Sequence, residues 1–279
     1  MNYILFLKAF LAKYKGIKDN QLLFQYLREE LQYLILYVLY TGTRYPVYFM
    51  GGTKLRLSYG INRFSEDIDL ALDKPDLDFP AKQFLENIAS AFSEKVTGFS
   101  LKSNLNTNRN VIKLMFSFSK VLFDAGLSPL PGQTVKIKLE LDKNPPDFAS
   151  YERKTYRSMA GDYMIGTYDL ATGFAGKIAA VLFREYQKGR DYYDLQWYLQ
   201  YKPAIGINLK YMNANSVQQG KNTFENEKEV LAAVIEKVKK LDLLLLRQDL
   251  ERFVVMDARS FGEWVENYIP QTLNLLQTH

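Results

Sequence analysis

At 279 residues, 47% of them hydrophobic and 24% charged, the chain can bury a substantial core and has the composition of an ordinary globular protein. It has no cysteine, which excludes disulfides, thiol catalysis and cysteine-ligated metals. Its single histidine is the last residue, His279, which argues against histidine bases and histidine zinc sites. The net charge of +5 is compatible with nucleotide or RNA partners without requiring them. Any acid, base or metal ligand must therefore be a carboxylate, Lys, Arg, Tyr, Ser or Thr, and oxygen ligands favour Mg²⁺ or Mn²⁺ over zinc. The most apolar stretch, residues 31–40, is too short to span a bilayer, and the N-terminus lacks a signal-peptide cleavage pattern. The expectation is a cytoplasmic protein with no membrane partner.

In chain order, Leu22, Leu23, Tyr26, Leu27, Leu31, Leu34, Ile35 and Val38 recur at helical spacing, with Asp19 or Asn20 as N-cap and Gly42 and Pro46 as terminators. Residues 47–50 read as a short strand entering a glycine turn, and 54–59 as helix. Residues 65–72 read as a strand that Pro75 and Pro80 end, and 81–96 as a helix. Alternation predicts strands over 111–119 and 135–142. In the second of these, Val135, Ile137, Leu139 and Leu141 face one way, and Lys136, Lys138, Glu140 and Asp142 the other. Asn144-Pro145-Pro146 stops the sheet. Beyond about residue 155 the chain reads as mostly helical: Asp169 caps a helix, residues 191–201 continue as helix, an apolar stripe runs through 223–247, and 261–276 closes the chain. The predicted organisation is a β-rich half, residues 1–150, and a helical half, residues 151–279, with a nucleotide cleft between them.

The stretch from Met50 to Leu72 is the most informative. Gly51, Gly52 and Thr53 let backbone N–H groups approach a phosphate closely, because no Cβ intervenes at the glycines. Asp67 and Asp69, two residues apart on a strand, point to one face; like charges held that close repel, and a divalent cation relieves the repulsion. A phosphate cradle followed by a carboxylate pair points to metal-assisted chemistry on a nucleoside triphosphate.

This stretch resembles the signature of the DNA polymerase β-like nucleotidyltransferases, and within them the AbiEii/AbiGii toxin family: Gly-Gly-Thr at 51–53, Leu-Arg at 55–56, Arg-Phe-Ser-Glu-Asp at 63–67, then Asp69. The resemblance implies an α+β fold, with a nucleotidyltransferase-like mixed sheet and helices followed by a mostly helical C-terminal lobe. It implies that Asp67 and Asp69 ligate Mg²⁺ or Mn²⁺ against the triphosphate, with Gly51, Gly52 and Thr53 at the nucleotide. The family's third carboxylate comes from a neighbouring strand, following a Lys by four positions. Both Lys136–Glu140 and Lys138–Asp142 match; Glu140 is preferred, because Asp142 borders the breaking loop. Ser65 and Glu66 fall beside the site, Ser65 closing a turn and Glu66 pointing away from the metal. Lys54 and Arg56 are read as contacting solvent or carboxylates rather than substrate.

Downstream, Lys177 and Arg184 share a helix face, and Lys188-Gly189-Arg190-Asp191-Tyr192-Tyr193-Asp194 resembles the family's Lys-x-Arg-Asp-x-x-Asp motif. The resemblance implies that Lys177 contacts the triphosphate and that Arg190 and Asp191 complete the site, although Arg190 with Asp191 or Asp194 also fits a structural ion pair. The activity implied is transfer of a nucleoside monophosphate from an NTP to RNA, in particular a tRNA 3′ end, with release of pyrophosphate. The role implied is the toxin of a toxin–antitoxin or phage-defence (abortive-infection) system, with a cognate antitoxin encoded nearby. Transfer to a protein acceptor, γ-phosphoryl transfer and a catalytically silent nucleotide-binding regulator are the alternatives.

Overall fold

The computed structural model describes residues 1–107 and 110–279, and among them two compact units. The first comprises Met1–Lys54, Ser65–Pro145 and Arg153–Thr167; the second comprises Leu55–Phe64, Pro146–Glu152 and Tyr168–His279. The elements in order are α1 (Tyr3–Lys13), α2 (Asn20–Gly42), β1 (Val47–Met50), α3 (Gly51–Tyr59), β2 (Ile68–Leu72), α4 (Ala81–Lys95), β3 (Ser100–Thr107), β4 (Val111–Ser119), α5 (Val121–Asp124), β5 (Thr134–Asp142), β6 (Tyr151–Ser158) and β7 (Gly161–Tyr168). There follow α6 (Leu170–Phe183), α7 (Gly189–Gln200), α8 (Leu209–Gln218), α9 (Glu227–Val238), α10 (Leu243–Leu250) and α11 (Ala258–Thr278).

The fold is a mixed seven-stranded sheet with helices, and its C-terminal part is helical. Strand order is β3-β4-β5-β2-β1-β7-β6. β1 pairs antiparallel with β2 and parallel with β7, and β2 pairs parallel with β5, which continues antiparallel through β4 to β3. The alternation read in β4 and β5 sets the faces: Ile112, Leu114, Phe116 and Phe118 are buried, as are Val135, Ile137, Leu139 and Leu141. α2 adds Leu27, Leu31, Leu34, Ile35 and Val38 to this core, and the Asp19 carboxylate caps it by accepting from the Gln21 and Leu22 N–H groups at 2.8 and 3.2 Å.

Four expectations need correction. The chain does not turn helical at residue 155: β6 and β7 carry it back into the sheet as far as Tyr168. β6 reads Tyr-Glu-Arg-Lys-Thr-Tyr-Arg-Ser and buries only Tyr156, so it lacks the apolar alternation that betrays a strand. β2 begins at Ile68 rather than at residue 65, which leaves Asp67 just ahead of the strand. α3 starts at the glycine pair itself. The stripe over 223–247 is two helices, since Asp242 caps α10 through the Leu244 and Leu245 N–H groups. Among the described residues no helix is long and apolar enough to cross a membrane.

In the helical unit, Asp169 caps α6 as expected, its carboxylate accepting from Thr172 N–H at 2.7 Å. Gly189 opens α7 where a Cβ would stand 2.7 Å from the Leu246 carbonyl oxygen of α10, so the close approach of these helices requires glycine there.

Candidate active site

The strand register brings the two halves of the signature together. Met50, the last residue of β1, pairs with Asp69 of β2, so the glycine turn leaves the sheet beside the Asp69 carboxylate. Gly51 is required twice over: its φ is +77°, in the left-handed region, and a Cβ there would collide with the Asp69 side chain. Thr53 is fully buried, and its hydroxyl donates to the Asp67 carbonyl oxygen, tying the first turn of α3 to the backbone that presents the acidic pair.

Across the parallel pairing with β5, Asp69 stands opposite Glu140, while Asp142 stands opposite Ala71. Register therefore places Glu140, not Asp142, beside the acidic pair. The Lys138 ammonium lies 3.1 Å from Asp67 Oδ2 and 3.1 Å from Glu140 Oε1, and Lys113 of β4 lies 3.3 Å from the same Glu140 oxygen. Burial alone would favour neutral forms of these groups. The charge pairs outweigh it, raising the Lys138 ammonium and lowering the Glu140 carboxyl from their usual values. Asp142 goes the other way: burial raises its carboxyl, offset in part by the Asn144 N–H that it accepts at 2.8 Å. Glu66 turns to Arg28 of α2 at 3.1 Å, and the Ser65 carbonyl accepts from Gln32.

The second constellation lies in the helical unit. Asp194, with no exposed surface, accepts from Arg63 Nε and Nη2 at 2.6 Å each and lies 2.9 Å from the Lys177 ammonium. Lys177 also meets Asp191 Oδ1 at 2.7 Å, and Arg184 Nε meets Asp191 Oδ2 at 3.0 Å. Three cations and two carboxylates thus form one chain of ion pairs from Arg63 to Arg184. Burial would raise the Asp191 carboxyl, but Lys177 and Arg184 outweigh it and hold it at about 2. Lys177 is nearly enclosed, and the two carboxylates raise its ammonium against the opposing effect of burial.

Arg190 meets Asp249 and Phe253 of the same unit. Its backbone N–H donates to Asp249 Oδ2 at 3.0 Å, its guanidinium Nε lies 3.5 Å from that oxygen, and its guanidinium carbon sits 4.3 Å from the Phe253 ring centre. Lys54 is 1% exposed, so the solvent-facing reading of it fails. Arg56 donates to the Ile61 carbonyl oxygen at 3.0 Å and covers Phe64, closing the loop that leads into the signature. Sequence reasoning missed Arg63 as an individual residue, though it opens the Arg-Phe-Ser-Glu-Asp run, and it missed Lys113, whose only signal was its place on the polar face of a strand.

The Asp191 pairing makes an acid-stability prediction. A carboxyl lowered in the folded state contributes stability that is complete above its unfolded value, near 4, and is lost as pH falls from about 4 to about 2. The drop from 3.8 to about 2 corresponds to roughly 2 kcal/mol. Urea unfolding followed between pH 5 and pH 2 is expected to show this loss, reduced in Asp191→Asn.

A mixed sheet with a glycine turn set beside paired carboxylates is the arrangement expected of a nucleotidyltransferase. The family described as the nucleotidyl transferase AbiEii toxin of type IV toxin–antitoxin systems matches residues 38–267, and the chain belongs to that family. No match was found among curated proteins. Among solved structures, the fold is similar to that of a protein from H. pylori provisionally described as a nucleotidyltransferase, with TM-score 0.53 and 17% identity over 89% of this chain and 96% of that one. JHP933 from Helicobacter pylori is similar at TM-score 0.50 and 16% identity, over 88% of this chain and 91% of that one. At these identities the two structures speak to fold alone.

Proposed function

We propose that the protein is a metal-dependent toxin that transfers a nucleoside monophosphate from an NTP to an RNA acceptor, a tRNA 3′ end being the favoured case, in the cytoplasm of a cell that also encodes its antitoxin. The observation that carries the reading is the register of Asp69 with Glu140 beside the glycine turn, with a lysine ammonium already lodged between Asp67 and Glu140.

The donor chemistry fits a hard divalent cation. Among the described residues no three acidic side chains converge into a closed metal cage. Mg²⁺ does not need one, because it is commonly held by one or two carboxylates and completes its shell with waters and substrate phosphates. Lys138 is the local stand-in for positive charge. Asp67, Asp69 and Glu140 would hold Mg²⁺ or Mn²⁺, which when bound neutralises phosphate charge and orients an in-line displacement.

The chain's own residues then act as follows. The N–H groups at Gly51 and Gly52, at the start of α3, bind phosphate oxygens. Thr53 holds that turn against Asp67. The acceptor hydroxyl oxygen bonds to the α-phosphorus, its proton passes to a carboxylate of the β2–β5 pair, and the bond to the bridging oxygen breaks, releasing pyrophosphate. Lys177 is the proposed contact of the triphosphate, already charged and held by Asp191 and Asp194. Arg190 supports that region through Asp249 and Phe253.

The test is incubation with each labelled triphosphate, Mg²⁺ and total RNA, followed by product sizing. Label on RNA with pyrophosphate release supports the reading. Label on protein alone moves the acceptor, phosphate without the nucleoside makes the reaction γ-phosphoryl transfer, and no label on any acceptor leaves a binding protein. In cells, overexpression is expected to arrest growth, and the arrest is expected to vanish with Asp69→Asn.

Lys138 gives a separate prediction. Replacing it with Met removes the ammonium that Asp67 and Glu140 share and leaves Glu140 with Lys113 alone. Each partly exposed ion pair is worth about 0.2–1 kcal/mol and Lys138 makes two, so Mn²⁺ should bind about two- to thirtyfold more tightly in Lys138→Met, read by titration of free Mn²⁺. Weaker binding in the variant would make the lysine a support of the site rather than a competitor.

A further inference from the structure

The helical unit contains a cavity of about 560 Å³ that the transfer reading does not use. Four cations line it, Arg184, Lys188, Lys237 and Lys240, together with Tyr186 and Phe224. Its acidic members are largely committed elsewhere: Asp191 pairs with Lys177 and Arg184, and Glu236 lies 2.8 Å from Lys239, leaving exposed Glu185 as the remaining carboxylate. Excess positive charge therefore belongs to the cavity. Lys177 does not line it. The Asp191 carboxylate takes Lys177 on one oxygen and Arg184 on the other, so it divides the proposed triphosphate lysine from this cavity.

The walls are held in place. The Phe224 backbone is pinned at both ends by the Asn213 amide, which donates to Phe224 O at 2.9 Å and accepts from Phe224 N–H at 2.8 Å. Gln187 is clamped the same way on Asp242, at 2.7 and 2.9 Å. Tyr186 receives the Arg184 guanidinium, by a hydrogen bond of 2.8 Å to its hydroxyl and by a cation–π contact of 5.2 Å to its ring. Pockets of 300–1,000 Å³ accommodate small organic ligands, and aromatic faces combined with amines are the usual means of holding a base and its phosphate.

We propose that this cavity binds a nucleoside 5′-phosphate, with the phosphate on Lys188 and Lys237 and the base against Tyr186 and Phe224. The same chemistry is presented by a free mononucleotide and by the end of a single RNA strand. Lys188 supports the polarity of the arrangement: burial and the nearby Arg190, Arg184 and Lys177 charges lower its ammonium against the pull of Asp191, a strain that a bound phosphate relieves.

The test uses binding alone, in the Asp69→Asn protein, so that it stands whether or not the transfer reading holds. AMP and a short single-stranded oligoribonucleotide are titrated at low salt, where phosphate contacts are strongest. Lys237→Ala and Tyr186→Ala are each expected to weaken binding about tenfold or more, while Lys228→Ala, an exposed lysine of α9 outside the lining, leaves it unchanged. Loss with both probes assigns a free nucleotide; binding and loss with the oligoribonucleotide alone assigns a strand end. No binding of either probe, unchanged affinity in Lys237→Ala and Tyr186→Ala, or an equal loss in Lys228→Ala overturns the proposal.

Discussion

Asp69→Asn is expected to lower nucleotidyl transfer by on the order of 10²–10³-fold, the usual cost of deleting one preorganised charge from a reacting centre. Asn is nearly isosteric and fits the space that Gly51 leaves open, so folded yield and thermal midpoint should stay close to those of the parent. Asp67→Asn should behave alike in rate, and it also removes a partner of Lys138. Near-parental rates in both variants at equal folded yield would move the chemistry away from this strand. Growth arrest by Asp69→Asn equal to that by the parent would remove catalysis from the toxic effect.

The largest expected effect on stability is at Asp194. Its carboxylate is fully buried against two Arg63 nitrogens and the Lys177 ammonium. Asp194→Ala leaves Arg63 enclosed without its fork partner and should cost about 3–5 kcal/mol, as breaking a buried pair on one side usually does. The comparison is Asp249→Ala, which removes the half-exposed partner of Arg190 and should cost roughly 0.2–1 kcal/mol. Urea denaturation of the two variants gives the ordering directly. An Asp194→Ala loss no larger than that of Asp249→Ala would show that the helical unit relaxes around the missing charge.

Much of the candidate site's local geometry was legible in the sequence because its parts are local. Gly-Gly-Thr at 51–53 and the Asp67–Asp69 spacing report a turn and a carboxylate pair whose geometry depends on neighbouring residues alone, and the caps at Asp19 and Asp169 are local hydrogen bonds. The alternation in β4 and β5 reports two faces because the strand period is 2. The same locality explains the misses. β6 buries too few apolar residues for its period to show, and an apolar stripe does not reveal that Asp242 interrupts it.

By itself the sequence determined the glycine turn, the acidic pair, the absence of cysteine and of any histidine before His279, and the helices that bury an apolar stripe; each of these follows from residue type and short-range spacing. Tertiary structure alone decided which residues meet. The parallel register of β2 with β5 set Glu140, not Asp142, opposite Asp69, and packing in the helical unit brought Arg63 to Asp194 across 131 positions of sequence. Arg190 reached Asp249 across 59 positions and lies against the Phe253 ring. Such pairings depend on how distant segments settle against a shared core and on the cost of burying a charge without its partner, and neither is written in the spacing of a motif.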